Sequence, residues 1–261
     1  MATVVKRSNW VVWKDVIFAL FIREIRTGFS DKLGLGWAVI SPLAFIFILS
    51  FIRGRMDGGE THTMPTFVFM VYGMLMIQLF LTMLQSCSSA IKKNKALFAF
   101  RQVQPISAIF AAALFETLIK MAVIVLIWCV MYFLNYEIRL DNALLLILNF
   151  FVMAILAMSL GLMFAMAQCY ISEIGKVQQL LTRPLFFISG VFFSLQDISK
   201  EYWHYLDWNP ILHGIELSRQ AVYSSYGAVG VSYEYYLGFT LVVLTIALSW
   251  YFSSWKQAIS R

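Results

Sequence analysis

Residues 142–172 read NALLLILNFFVMAILAMSLGLMFAMAQCYIS, 31 positions without a charged side chain. About 20 mostly apolar residues suffice for a helix to cross the hydrocarbon core of a bilayer. The apolar positions here run on without alternating, which fits a helix and not a strand with one wet face. Similar stretches lie on both sides. Residues 33–52 and 65–91 are uncharged, 105–136 carries only Glu116 and Lys120, 177–196 only Arg183, and 233–255 only Glu234. The chain therefore reads as an all-α membrane protein with six transmembrane helices in a single domain, 1–261. The fifth is the most interrupted, because Pro184 and Gly190 accompany Arg183.

Composition agrees. The 261 residues are 61% hydrophobic and 13% charged, with a mean hydropathy of +0.76. A soluble domain is roughly 45–50% apolar and about 25% charged. Three cysteines are too few for a secreted disulfide scaffold, and the hydrophobicity excludes a disordered chain.

Six spans place both termini on one side. If that side is the cytoplasm, fourteen Lys and Arg fall inside and five outside, with four acids inside and nine outside. This is the positive-inside pattern of a multi-pass membrane protein with both termini cytoplasmic. It also explains the net charge of +6 without nucleic acid as a partner. Glu216 and Arg219 are counted here among the charges of the outer loops.

Residues 10–29 are too charged to span and show no cleavage site, so they read as an amphipathic helix lying at the interface. No GxxxxGK[ST] loop occurs, so the chain carries no nucleotide site of its own. Cys87, Cys129 and Cys169 lie in three different spans without metal-ligand spacing, and no acid–base–nucleophile pattern is readable. The sequence predicts no enzyme, no metal and no cofactor in this chain.

Three features carry the remaining information. Glu116 and Lys120 stand at i, i+4, where helical side chains meet. They read either as a self-neutralised structural pair or as a tie from the third span to cytoplasmic elements. Residues 92–102 begin KKNKALFAFRQ, basic residues around Leu97, Phe98 and Phe100. They fit either a basic snorkelling turn or a short amphipathic helix docking into a partner's groove. Residues 197–224 are too polar to span and too apolar to be free. They read as two short re-entrant helices at the outer face, broken at Asn209-Pro210 and serving as an aromatic belt, a gate or a platform for sugar rings.

Several segments then resemble the membrane subunits of capsular polysaccharide exporters, the KpsM-type permeases of the ABC-2 transporter class in Gram-negative bacteria. They are FIREIRTGF (21–29), LGWAVISP (35–42), LFAFRQVQPI (97–106), LFETLI (114–119), RPLFFISGVFFSLQDI (183–198) and YWHYLDWNPILHGIELSRQA (202–221). The resemblance implies a homodimer of ABC-2 permease fold with a pathway at its interface. Two ATP-binding cassette subunits would bind ATP and Mg and touch the interface and coupling helices. It implies ATPase coupling at Glu24, Asn94, Leu97, Phe98, Phe100, Arg101 and Pro105. It also implies lipid-anchor phosphate binding at Arg23, Arg26 and Arg183. The pathway and gate would be formed by Trp37, Phe186, Phe187, Phe192, Phe193, Tyr202, Trp203 and Trp208. The cargo would be a lipid-linked anionic polysaccharide, passed on to a periplasmic co-polymerase and an outer-membrane export protein. Other lipid-linked glycans, of O-antigen or teichoic-acid type, and a small hydrophobic compound are alternative cargoes.

Overall fold

Inside a bilayer a helix satisfies its own backbone, and the long apolar runs all take that route. The structure, a computed structural model, describes residues 8–28, 34–56, 59–100 and 102–260. Helix α1 (Asn9–Gly28) precedes α2 (Gly34–Met56), and a small hairpin, β1 (Glu60–Thr61) with β2 (Met64–Pro65), leads into α3 (Thr66–Lys93). Then follow α4 (Pro105–Phe133), α5 (Ala143–Tyr170), α6 (Ile174–Ile188), α7 (Pro210–Val222) and α8 (Tyr233–Ser260). Among the described residues five helices, α2, α3, α4, α5 and α8, are long and apolar enough to cross a membrane.

Helix α3 is the axis: 89% of its most apolar window is buried, against 11% for α2. Its tightest seam is with α5. A Cβ on Gly161 would stand 2.5 Å from Cys87 Cβ and 3.3 Å from the Leu84 carbonyl, so only glycine allows this approach. Helix α1 packs on the start of α4, with the Trp13 ring edge-on to Phe110 at 5.8 Å.

The two ends of the bundle differ in charge. At the basic end, Ile106 N–H donates to the Tyr251 hydroxyl and the Tyr170 hydroxyl donates to the Ser254 carbonyl. Here Gln168, Gln178 and Gln85 form an amide chain linking α5, α6 and α3. At the acidic end the N–H groups of Asp141 and Asn142 donate to the carbonyls of Val222 and Ala221, joining the start of α5 to the end of α7. The Asn142 side chain caps α5 through Leu145 N–H. The Ser224 hydroxyl and N–H donate to the Asp141 carboxylate at 2.6 and 2.7 Å and hold its pKa below the usual range.

Several boundaries depart from the sequence expectation. The 177–196 segment is helical only as α6, 15 residues or about 22 Å long, short of the roughly 30 Å core. It stops because Gly190 takes a left-handed φ of +73°, the usual way a helix is ended. Helix α4 stops at Phe133, before a turn with Asn135 at φ +58°. Lys92 and Lys93 belong to α3, and the expected coupling helix is a 3-10 turn, Lys95–Ala99. The two outer helices are a 3-10 segment, Lys200–Tyr205, and α7. The hairpin is not foreshadowed by its His62-Thr63 turn, which lacks the usual Asn or Gly. Bonds from elsewhere hold it: His62 Nε2 lies 2.6 Å from Asp197 Oδ1, and the Thr63 hydroxyl donates to the Ser225 carbonyl.

Candidate functional site

At the basic end the chain leaves α3 through Asn94, whose N–H and side-chain amide both bond the Ala90 carbonyl. Asn94 is buried, Phe98 is 9% exposed, and Leu97 packs on the core. Phe100 is 65% exposed, beside exposed Lys95, Ala96 and Ala99. The segment is thus a clip with an inward anchor (Asn94, Phe98) and an outward tip (Phe100, Lys95). Pro105 is buried at the first position of α4, where a missing N–H costs nothing. Arg101 lies outside the described residues.

Glu24 is partly buried in a small cavity shared with Ser86, Lys93 and Glu116, so it faces the bundle. Arg26 is exposed and Arg23 half-buried on α1. Arg183 is exposed on α6. The three arginines lie on two different helices, and among the described residues no ion pair is formed by any of them.

Phe186, Phe187 and Phe192 form one cluster, with ring centroids 5.3–6.0 Å apart, and Phe45 of α2 joins it at 6.3 Å. It belongs to an apolar face on which Trp37, Ile40, Phe45 and Ile48 of α2 and Leu180 and Phe187 of α6 are exposed. The Phe193 carbonyl accepts a long hydrogen bond from Arg219 Nη1. Tyr202 and Trp208 are exposed at the acidic end. Trp203 instead packs inward: its indole N–H donates to the Ile198 carbonyl, and its ring lies so close to Gly230 that a Cβ there would clash.

Glu116 and Lys120 do not pair directly. Ser86 Oγ donates to Glu116 Oε1 at 2.5 Å, and Lys120 Nζ donates to Gln78 Oε1 at 3.4 Å. The i, i+4 spacing is present, but both side chains turn to α3, which ties the third span to the second.

The largest correction concerns Arg219 and Glu216. Counted above as outer-loop charges, both are fully buried in α7, Nη1 to Oε1 2.9 Å. Arg219 Nε donates to the Phe69 carbonyl, Nη1 to Gly190 and Nη2 to Val191, and the guanidinium lies 3.4 Å over the Phe69 ring. Glu216 Oε2 accepts from Ser194 Oγ and the Tyr226 hydroxyl. Burial pushes the Tyr226 phenol well above its usual range, which keeps that proton available for donation. The pair joins α7, α3 and the broken end of α6, whose last carbonyls have no helical donor. The available signal was Glu and Arg three apart in an otherwise apolar helix (IELSRQAV), which favours one face for both.

His213 is buried and fixed: Ser232 N–H donates to Nδ1, so Nε2–H donates to the Asp207 carbonyl. Among the described residues no group of three His, Cys, Asp or Glu could hold a metal ion.

Fold and site together define a polytopic membrane protein with an exposed 3-10 clip at its basic end and a buried ion pair at the other. The sequence matches the ABC-2 type transporter family over residues 15–223. It is 40% identical over 249 residues to the polysialic acid transport protein KpsM of Escherichia coli, covering 94% of this chain and 95% of that protein. It is 26% identical to the capsule polysaccharide export inner-membrane protein BexB of Haemophilus influenzae, covering 93% and 90%. It is 25% identical to CtrC of the same description from Neisseria meningitidis, covering 93% and 92%. The chain belongs to the ABC-2 type transporter family. It is a transport subunit and not a catalytic enzyme.

Proposed function

We propose that the chain is the inner-membrane permease subunit of an ATP-driven exporter of lipid-linked, anionic capsular polysaccharide. The near full-length 40% identity to a polysialic acid transport protein carries this reading. The absence of a nucleotide loop from the sequence and the outward Phe100 tip support it, since force must then enter from a separate subunit. In this reading both termini are cytoplasmic, and α6 with the turn to Ser194 completes a sixth crossing. The apolar face of α6 around Leu180 and Phe187 meets a second copy. Two ATP-binding cassette subunits, holding ATP and Mg, dock at the clip and α1. Interfacial Arg23, Arg26 and Arg183 suit an anchor phosphate, because a guanidinium offers paired donors to an oxyanion. A periplasmic co-polymerase and an outer-membrane export protein take the chain onward.

The clip separates two roles that single substitutions distinguish. Phe100→Ala leaves the permease amount and melting temperature unchanged, abolishes co-purification of the ATPase and leaves polymer in the cytoplasm. Phe98→Ala removes an anchor and costs about 3 kcal/mol of stability, so less permease accumulates. Normal ATPase recruitment and export by a Phe100→Ala permease would remove the coupling role.

A further inference from the structure

A stripe of polar side chains, buried Gln78 and half-buried Thr82, Ser86 and Ser89, runs down one side of α3 at helical spacing. It ends in two cavities that share Phe115 and Glu116 as a common wall. The smaller, about 130 Å³, holds Glu24 and Lys93 at the basic end. The larger, about 540 Å³, lies between α2, α3 and α4 and is lined by Trp37, Ser41, Phe45, Gln78, Thr82 and Lys120 among others.

Lys120 is the unusual member. It stands 15 residues from one end of α4 and 13 from the other, about 20 Å from either in a helix that crosses the membrane. It is 2% exposed, and its ammonium has three protons. Among the described residues these find one acceptor, Gln78 Oε1, at a long 3.4 Å. Glu116, the nearest carboxylate along the helix, already accepts from Ser86. A cation at this depth normally has a partner or faces a polar cavity, and here the cavity is present, walled by Ser41, Thr82, Gln78 and aromatic rings, with the Glu116 carboxylate, held by Ser86, on one side.

We propose that this crevice is an intramembrane oxyanion site. Lys120 Nζ binds a phosphate or carboxylate oxygen of a lipid-borne head group, Ser41 donates beside it, and the apolar part lies against Trp37, Phe45 and Phe115. The polar stripe and Lys93 provide the way in from the basic end. The site itself stands on the geometry. Only the identity of its occupant as the exported chain rests on the export reading.

The test places the photo-crosslinking residue p-benzoylphenylalanine at position 45 of the full chain in cells. The purified permease is weighed for adducts after irradiation. Cells that make the polymer are compared with cells blocked in its synthesis, each with Lys120, Lys120→Arg or Lys120→Met. Capture falls about tenfold in Lys120→Met, the loss of one charge-assisted hydrogen bond, and is kept in Lys120→Arg. Lys120→Gln, which retains a partner for Gln78 without the charge, is used if Lys120→Met does not accumulate. A glycolipid adduct confined to polymer-making cells supports the site with the exported chain as occupant. A phospholipid adduct in both supports it with a bilayer lipid. Equal capture with and without the charge at 120, at equal permease amount, overturns the site. If the chain recruits no ATPase, the export reading falls, but the adducts in cells without polymer still read the site.

Discussion

Arg219→Ala leaves almost no folded permease in the membrane. The substitution removes a guanidinium that serves the carbonyls of Phe69, Gly190 and Val191 and leaves the Glu216 carboxylate buried without its counter-charge. Breaking one partner of a buried pair costs about 3–5 kcal/mol, a large part of the total stability of a domain. The orphaned carbonyls add to this, because water does not reach them at this depth. Arg219→Lys recovers little, since a single ammonium cannot span three carbonyls and a carboxylate in the planar fork that arginine provides. Glu216→Gln alone is milder, because the amide oxygen still accepts and its NH₂ meets Ser194 and Tyr226. Melting of the detergent-solubilised chain, followed by its elution as a monodisperse species, reads all three. An Arg219→Ala permease that melts within about 2 °C of wild type, no more than the shift expected for about 1 kcal/mol, contradicts the clasp.

Gly161→Ala comes second in expected effect. The new methyl would occupy the space 2.5 Å from Cys87 Cβ, where α3 and α5 meet backbone to side chain. Neither helix can rotate away, because α3 is buried on nearly every side. Overpacking of this kind costs about 1–3 kcal/mol. The compensating change removes the Cβ it strikes. Cys87→Gly in the Gly161→Ala background restores part of the lost stability, although a helix-interior glycine itself costs about 1 kcal/mol. A double variant less stable than Gly161→Ala alone would place the strain elsewhere. Cys87 is otherwise a buried thiol whose Sγ, among the described residues, bonds only the Ile109 carbonyl, so its exchange removes little else.

Local pattern made some features legible and left others out of reach. Uninterrupted apolar runs marked α3, α4, α5 and α8 to within a few residues, because a membrane segment announces itself by what it lacks. Gly190 and Pro184 signalled the weakness of α6 before its helix was found to stop at Ile188. The direction of a side chain was not legible. Phe98 and Phe100 differ by two positions in an apolar loop, and only tertiary packing turns one in and one out. Trp203 looked like its neighbours Tyr202 and Trp208, yet Gly230 and the Ile198 carbonyl draw it inward. The Arg219–Glu216 pair was misplaced for the same reason. A charge count assigns residues to sides and assumes solvation, whereas α7 folds back between α3, α5 and α8 and takes its charges with it. Glu116 and Lys120 had the spacing of a pair, but α3 offered each a separate partner.

Under the proposed function, this chain moves an anionic glycolipid with force taken from a separate ATPase. The most direct measurement is ATP hydrolysis by the permease–ATPase complex reconstituted in lipid vesicles, with and without the purified lipid-linked polysaccharide. The expected result is that the two subunits co-purify, that the glycolipid stimulates hydrolysis, and that Phe100→Ala abolishes both assembly and stimulation. A complex that hydrolyses ATP at the same rate with and without the glycolipid, or a permease that assembles with no ATPase, would contradict it.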